Sequence, residues 1–498
     1  MASQAARAEP AVSDLYISLL IGAGFFAFYL SFLSKAYVFE GLARALPIDT
    51  HHFNHLFAGN YLLYGVLGQA FHRMLQILGA RNPAYISLQI LDTLYGAVGL
   101  SVFYFSLRRL GAVTMAAAVW TCGLGVTLGY WLWSTDAENY IFSTLLLQIL
   151  FFGLLGENRA SRPSPARIGL LHGLACLGHI VNVMMVLPCL WILLYRAPAP
   201  KEKILGAYFA SLIAVVGGAY ALTILFIKNI KSPLQILAWF LGSASGGTQN
   251  LMHWHGGLSG ASLAQWLKMT LHIFVATPTP YSHPAPFSHL PFLIALARIC
   301  MAFLTGLFIL KFKDILKNDA KIVIACLLWL FSYALIFTSW EPGTMVYRIS
   351  DLIPLVTLLF LASRSVGAIA IGMAFFVSLG FANFLDEIYP RSFASNNAAW
   401  VRMQLIKSVT HEKDWIAVEG GTDELYVPYF AQRQPFLISR FHAAPDQLRS
   451  ALSTLSHHGQ RVFITSRLLV DPEWKSFFEN WPLREVAHDQ EGYRVYEL

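Results

Sequence analysis

Charge is scarce in this chain: only 13% of its 498 residues are Asp, Glu, Lys or Arg, about half the share of a soluble globular protein. With 56% of residues hydrophobic and a mean hydropathy of +0.53, that scarcity excludes a soluble protein and implies a polytopic α-helical membrane protein. Cysteine is scarce as well. The five copies, Cys122, Cys176, Cys189, Cys300 and Cys326, fall inside apolar runs, so no disulfide framework or CxxC metal site is visible. No small-residue cleavage site follows the first apolar run, which reads as an uncleaved span. Internal repeats and low-complexity tracts are absent too.

What is present is a succession of apolar runs: Leu15–Leu33, Tyr85–Leu107, Ala112–Trp131, Tyr140–Gly156, Ile168–Tyr195, Ile204–Ile227, Leu290–Leu310, Ile322–Thr338, Tyr347–Ala362 and Val366–Phe384. The run Ile168–Tyr195 is too long for one untilted span, and His179 and Asn182 near its middle suggest two short helices meeting at the outer face. Counting it twice gives about eleven spans. The formal charge of +7 does not point to nucleic acid, because the basic residues sit in short loops between apolar runs. With residues 1–14 cytoplasmic, Arg108 and Arg109, Arg159, Arg162 and Arg167, Arg196, Lys201 and Lys203, Lys311, Lys313, Lys317 and Lys321, and Arg364 all fall on the inner side. Residues 15–389 then form the transmembrane domain, with outer loops 34–84, 133–139, 228–289 and 339–348. The first of these contains an amphipathic stretch, Leu56–Leu78, expected to form interfacial helices.

From 390 to 498 the composition becomes that of a small soluble α/β domain on the extracytoplasmic side. Trp415–Val418, Phe436–Ile438 and Arg461–Thr465 read as strands, and Asp446–Ser456 as an amphipathic helix. Glu419-Gly420-Gly421-Thr422 reads as an ordinary β-to-α turn rather than a phosphate cradle.

Acids at a membrane boundary are costly to desolvate and persist where they meet water, a cation or a reacting group. Glu40, just past the first span, can deprotonate an incoming hydroxyl, and its partly apolar surroundings suit a general base; Asp49 is the competitor. Asp136 and Glu138, at i and i+2 in Trp133-Ser134-Thr135-Asp136-Ala137-Glu138-Asn139-Tyr140, can share a cation, bind hydroxyls or orient a base, with a helix N-cap for Ser134, Thr135 or Asp136 as the plainer account. His51, His52, Asn54 and His55 form a polar cluster without closed zinc spacing, as do His253 and His255, and both read as hydrated surface. His179 lies within an apolar run, where it serves either as an interhelical hydrogen-bonding group or as a site wall. Arg348 follows Trp340-Glu341-Pro342-Gly343 and would meet the phosphate zone of the outer leaflet, binding a phosphodiester, snorkelling or pairing with Asp351.

In this order these residues resemble the GT-C superfamily of polytopic glycosyltransferases that use polyprenyl-phosphate-linked sugars, in its bacterial branches. Glu40, the stretch Asn54-His55-Leu56 to Tyr64, and Asp136 or Glu138 occupy the places of the first acid, the interfacial helices and the second acid. The first acid is often Asp in that family, and its Pro-Pro-Leu-Tyr element is replaced here by Asn54-His55-Leu56 with Leu63-Tyr64 beyond. The resemblance implies a GT-C-like fold and transfer of a sugar from a polyprenyl-phosphate donor to a hydroxyl of a glycan, lipid or protein. Glu40, or Asp49, would be the base, with Asp136 and Glu138 beside it. Arg348, His55, His179, Asn54, Tyr64 and Glu341 would line the substrate, and a divalent cation, Mg or Mn, would be an optional cofactor. The expected setting is the bacterial inner membrane, with site and C-terminal domain in the periplasm. The rivals are a transporter or flippase for lipid-linked glycans and a non-catalytic assembly protein. The gathering of acids at one face and the lack of repeated halves speak against the transporter.

Overall fold

A computed structural model describes residues 12–498 except 157–162, 196, 198, 199, 242–258, 277–290, 365, 443 and 480. Arg159, Arg162, Arg196, His253 and His255 therefore lie outside the described residues. Among the described residues the helices before the C-terminal domain include α1 (Val12–Leu30), α2 (Phe39–Asp49), α3 (Leu63–Ile77), α4 (Ala84–Arg109), α5 (Thr114–Gly125), α6 (Leu128–Thr135), α7 (Asn139–Leu155), α8 (Pro165–Gly178), α9 (Val186–Leu194), α10 (Lys201–Leu222), α11 (Pro233–Leu241), α12 (Gly260–His272), α13 (Pro291–Ser339), α14 (Leu352–Ala362) and α15 (Val366–Asn383).

Among the described residues six helices are long and apolar enough to cross a membrane, or seven if α5 and α6, bent by 64° at their junction, form one span. The count of about eleven expected from ~20-residue spans is not reached, for a geometric reason. Two of the apolar runs lie on either side of Asp319 in the segment α13, where the backbone leaves helical geometry between two helices. The runs Tyr140–Gly156 and Ile168–Tyr195 form shorter helices, α7 with 17 residues and α8 and α9 with 14 and 9.

The expected break in the run Ile168–Tyr195 is present. His179 adopts extended backbone, and a 3₁₀ turn, Ile180–Met185, leads into α9. Backbone freed from a helix among apolar segments must find partners. Here the loop before α3 supplies them: Ile180 N donates to Asn60 O at 2.8 Å, and Leu62 N donates to Leu177 O at 3.0 Å. The segment 58–62 is thereby threaded into the break, which is how Tyr61 becomes buried.

The C-terminal domain is a five-stranded mixed sheet in the order β2-β1-β3-β5-β4, with β1 (Trp415–Val418), β2 (Gln434–Leu437), β3 (Val462–Thr465), β4 (Arg484–His488) and β5 (Arg494–Glu497). The parallel trio β2, β1 and β3 contains the three strands legible in the sequence; the antiparallel pair β4 and β5, which carries Arg484, Glu485, His488, Arg494 and Glu497 and so lacks an apolar run, was not. Helices α16 (Ala398–Val409), α17 (Pro445–His457) and α18 (Pro472–Phe478) accompany it. Asn397 Nδ2 donates to Lys35 O and Ala36 O at 2.8 and 2.9 Å, and the Tyr426 hydroxyl donates to Tyr37 O at 2.8 Å. One apolar cluster joins Leu42, Tyr61, Tyr85 and Ala137 to Met403, Ile416 and Val495, so the domain forms part of the scaffold behind the first loop.

Candidate functional site

Helix α2 opens at Phe39, placing Glu40 in its first turn, where a carboxylate is favoured by the helix dipole. Arg44 lies one turn on, on the same face. Its Nη2 stands 3.9 Å from Glu40 Oε2 and donates to the Tyr61 hydroxyl oxygen at 2.8 Å, while its Nη1 donates to His55 O at 3.1 Å. The Tyr61 hydroxyl in turn donates to Glu40 Oε2. Burial pushes the Tyr61 phenol well above its ordinary pKa, with Arg44 opposing and Glu40 reinforcing the shift, so Tyr61 stays protonated. The Arg44 side chain is 3% exposed and that of Glu40 30%. The carboxylate is thus the partly open member of a buried triad.

Helix α4 builds the second group of acids. Gln89, Asp92 and Thr93 hold the corner between α6 and α7: Gln89 Nε2 donates to Ser34 O and Thr135 O at 2.6 and 3.0 Å, and the Thr93 hydroxyl donates to Ser134 O at 2.9 Å. Asp92 Oδ2 accepts from the Tyr64 hydroxyl at 2.6 Å and from Glu138 N at 2.8 Å. Asp136 Oδ1 accepts from the Tyr85 hydroxyl and from Ala137 N. The N-cap expectation fails here: Ser134 and Thr135 bond back into α6, and α7 begins without a side-chain cap. Among the described residues Asp92 Oδ1, Asp136 Oδ2 and Glu138 Oε2 are buried without a hydrogen-bond partner, as are both side-chain heteroatoms of Asn139. Burial raises Glu138 well above the ordinary carboxyl pKa, helped by Glu40, Asp136 and Asp92 and opposed by Arg44. No group of three or more His, Cys, Asp or Glu among the described residues is arranged to hold a metal ion.

An aromatic wall connects this region to Arg348. Ring centroids step from Tyr61 to His179 (6.1 Å), His179 to Tyr140 (5.3 Å), Tyr140 to Tyr347 (5.7 Å) and Tyr347 to Phe337 (4.8 Å). Arg348 lies over Phe337 at 4.5 Å. It does not snorkel to an outer surface: its side chain is 0% exposed and its Nη1 stands 3.6 Å from the equally buried Asp351 Oδ2, too far for a good hydrogen bond. None of its three nitrogens has a hydrogen-bond partner among the described residues. Glu341 sits at the edge of the wall, accepting from the Thr344 hydroxyl at 2.9 Å.

The remaining sequence candidates have mainly structural contacts. Asp49 lies at the far end of α2, roughly 13 Å from Glu40 along the axis, where both oxygens accept from Ala84 N at the start of α4 and His72 Nε2 stands 3.9 Å away. Asn54 and His55 have exposed side chains and take part through backbone carbonyls, Asn54 O accepting from Lys228 and His55 O from Arg44. Tyr64 is committed to Asp92. Sequence reasoning passed over Arg44, Tyr61, Asp92, Tyr140 and Tyr347. Two of these carry a signal, Arg44 as the i+4 partner of Glu40 and Asp92 as an acid inside an apolar run; the tyrosines look like ordinary boundary aromatics.

These elements form a helical membrane part with a small C-terminal α/β domain beside its acidic site. The structure is similar to that of ArnT from Cupriavidus metallidurans bound to undecaprenyl phosphate, with TM-score 0.67 and 10% identity over 98% of each chain. It is similarly close to ArnT of the same organism in the apo state, with TM-score 0.66 and 10% identity over 97% of each chain. At that identity the likeness is one of fold. No protein-family model and no curated protein matches the sequence.

Proposed function

We propose that this protein is a glycosyltransferase that moves a sugar from a polyprenyl-phosphate donor to an acceptor hydroxyl. The observation that carries the reading is the partly open Glu40 carboxylate, held by Tyr61 and Arg44 at one end of an aromatic wall whose other end carries the buried Arg348. The ArnT-like fold supports a lipid-phosphate donor, since ArnT is seen with undecaprenyl phosphate bound.

Glu40 takes the proton of the acceptor hydroxyl as its oxygen attacks the anomeric carbon. The bond from that carbon to the phosphate oxygen breaks, and polyprenyl phosphate leaves. Arg348, rich in donors that lack hydrogen-bond partners among the described residues, holds the donor phosphate in the ground state and the transition state alike. Asp136 accepts from substrate hydroxyls through its free oxygen. Glu138, whose carboxyl pKa burial and its acidic neighbours raise, is suited to donating a hydrogen bond to substrate rather than to binding a cation. No group among the described residues is arranged to hold a Mg or Mn ion, and no step is assigned to one. The site faces the periplasm of a bacterial inner membrane.

The test is incubation of purified protein with polyprenyl-phosphate sugars and candidate acceptors, following release of polyprenyl phosphate. Donor hydrolysis or transfer that depends on Glu40 supports the reading. Donor movement across a vesicle bilayer without bond cleavage would instead establish the transporter.

A further inference from the structure

Away from the acidic site, helices α1 and α15 stand apart over α5, leaving an apolar cavity of about 570 Å³ bounded by Phe28, Val126, Trp131, Phe376, Gly380 and Phe384. That volume is in the range of ligand sites. A second apolar furrow of about 350 Å³ runs down α1 past Leu20 and Gly24 and shares Phe28 and Val126 with the first. The rings of Trp131 and Phe384 stack at 5.9 Å at one end.

The two chain passages that leave this groove also bound a third cavity, of about 380 Å³, lined by Lys35, Arg391 and Asn397 among others. Arg391 is seven residues beyond Phe384 along a π-helical turn and a short α-helical one, so the basic cavity follows on from the Phe384 end of the groove. Lys35 N donates to Arg391 O at 2.7 Å, tying the two passages together. Arg391 pairs with Glu387. Lys35 forms no ion pair among the described residues; burial lowers its pKa, opposed by the charge of Asp136.

We propose that this groove is a binding site for a membrane phospholipid with an anionic headgroup. One acyl chain occupies each furrow on either side of Phe28 and Val126, and the phosphate lies at Lys35. Charge complementarity selects the headgroup, since an anion relieves the desolvation of a half-buried ammonium. The paired furrows select a two-chain lipid over a single polyprenyl chain. The site is independent of the reading of Glu40 and Arg348.

The test uses full-length protein reconstituted in nanodiscs with a phosphatidylglycerol bearing a photoreactive group in one acyl chain, adducts being mapped by mass spectrometry. Adducts should concentrate on residues 19–30 and 373–384 and be displaced by phosphatidic acid but not by diacylglycerol. Lys35→Gln should lower labelling about five-fold, the worth of one lysine facing an anionic headgroup, and Val377→Trp, which fills the groove from a lipid-exposed position, should remove it with the protein still monodisperse. Equal displacement by diacylglycerol, or indifference to Lys35→Gln, would overturn the proposal in favour of unselective filling by bulk lipid. Displacement by polyprenyl phosphate but not by phosphatidic acid would overturn it in favour of a single-chain occupant.

Discussion

The Tyr61 hydroxyl donates to Glu40 Oε2 while its own oxygen accepts from Arg44 Nη2 at 2.8 Å, so one phenol links a base candidate to a buried guanidinium. If Glu40 removes the acceptor proton, Glu40→Gln keeps size and the hydrogen bond but loses basicity. Turnover should fall on the order of 10²–10⁴-fold with donor binding retained. Asp49→Asn should keep most activity, because Asp49 serves the backbone start of α4. Single-turnover kinetics of both variants decides the assignment, and exchanged outcomes would move the base to Asp49.

Tyr61→Phe leaves Glu40 ionisable but removes its donor. That bond fixes the carboxylate's position, so its loss should lower kcat by roughly ten- to a hundred-fold through misplacement of the base, with little change in KM. A change in KM alone would make Tyr61 a substrate-binding residue instead.

Arg348 and Asp351 form a fully buried pair. Arg348→Ala should weaken donor affinity more than turnover at saturation, and leaving Asp351 unpaired should cost about 3–5 kcal/mol of stability. The double variant Arg348→Met with Asp351→Leu separates the two effects. Thermal stability should recover while donor affinity stays low, whereas recovery of both would remove Arg348 from the donor site.

Glu138 gives a pH dependence of stability. Its carboxyl pKa is raised in the folded state, chiefly by burial. Below the ordinary Glu range both states are protonated and the group is neutral to stability. As pH rises above that range the unfolded chain releases the proton while the folded chain retains it, so stability is lost. Glu138→Gln, which cannot ionise, should therefore melt higher than the parent at pH 7–8, with the difference vanishing near pH 4. A constant difference across that range would show that Glu138 does not titrate as described.

Orientation is checked by cysteine accessibility. A cysteine at Lys313 should label only from the cytoplasmic side, and one at Ser450 only from the outside, as the basic-loop bias requires. Reversed labelling would invert the proposed location of the site.

The membrane class, the C-terminal α/β domain and the acids Glu40, Asp136 and Glu138 were legible in the sequence, because desolvation cost makes composition and isolated charges in apolar surroundings conspicuous. The break at His179 was legible for the same reason, as a polar group in an overlong run. Tertiary structure alone decided that segment 58–62 fills that break, bringing Tyr61 to Glu40 across 21 positions of chain. It also set Asp92 behind Glu138 and sank Arg348 beside Asp351 instead of leaving it at a surface. Such contacts depend on which backbone groups a broken helix leaves to be satisfied and on how neighbouring helices pack. Neither is encoded in hydrophobic periodicity, which reports only what faces water or lipid.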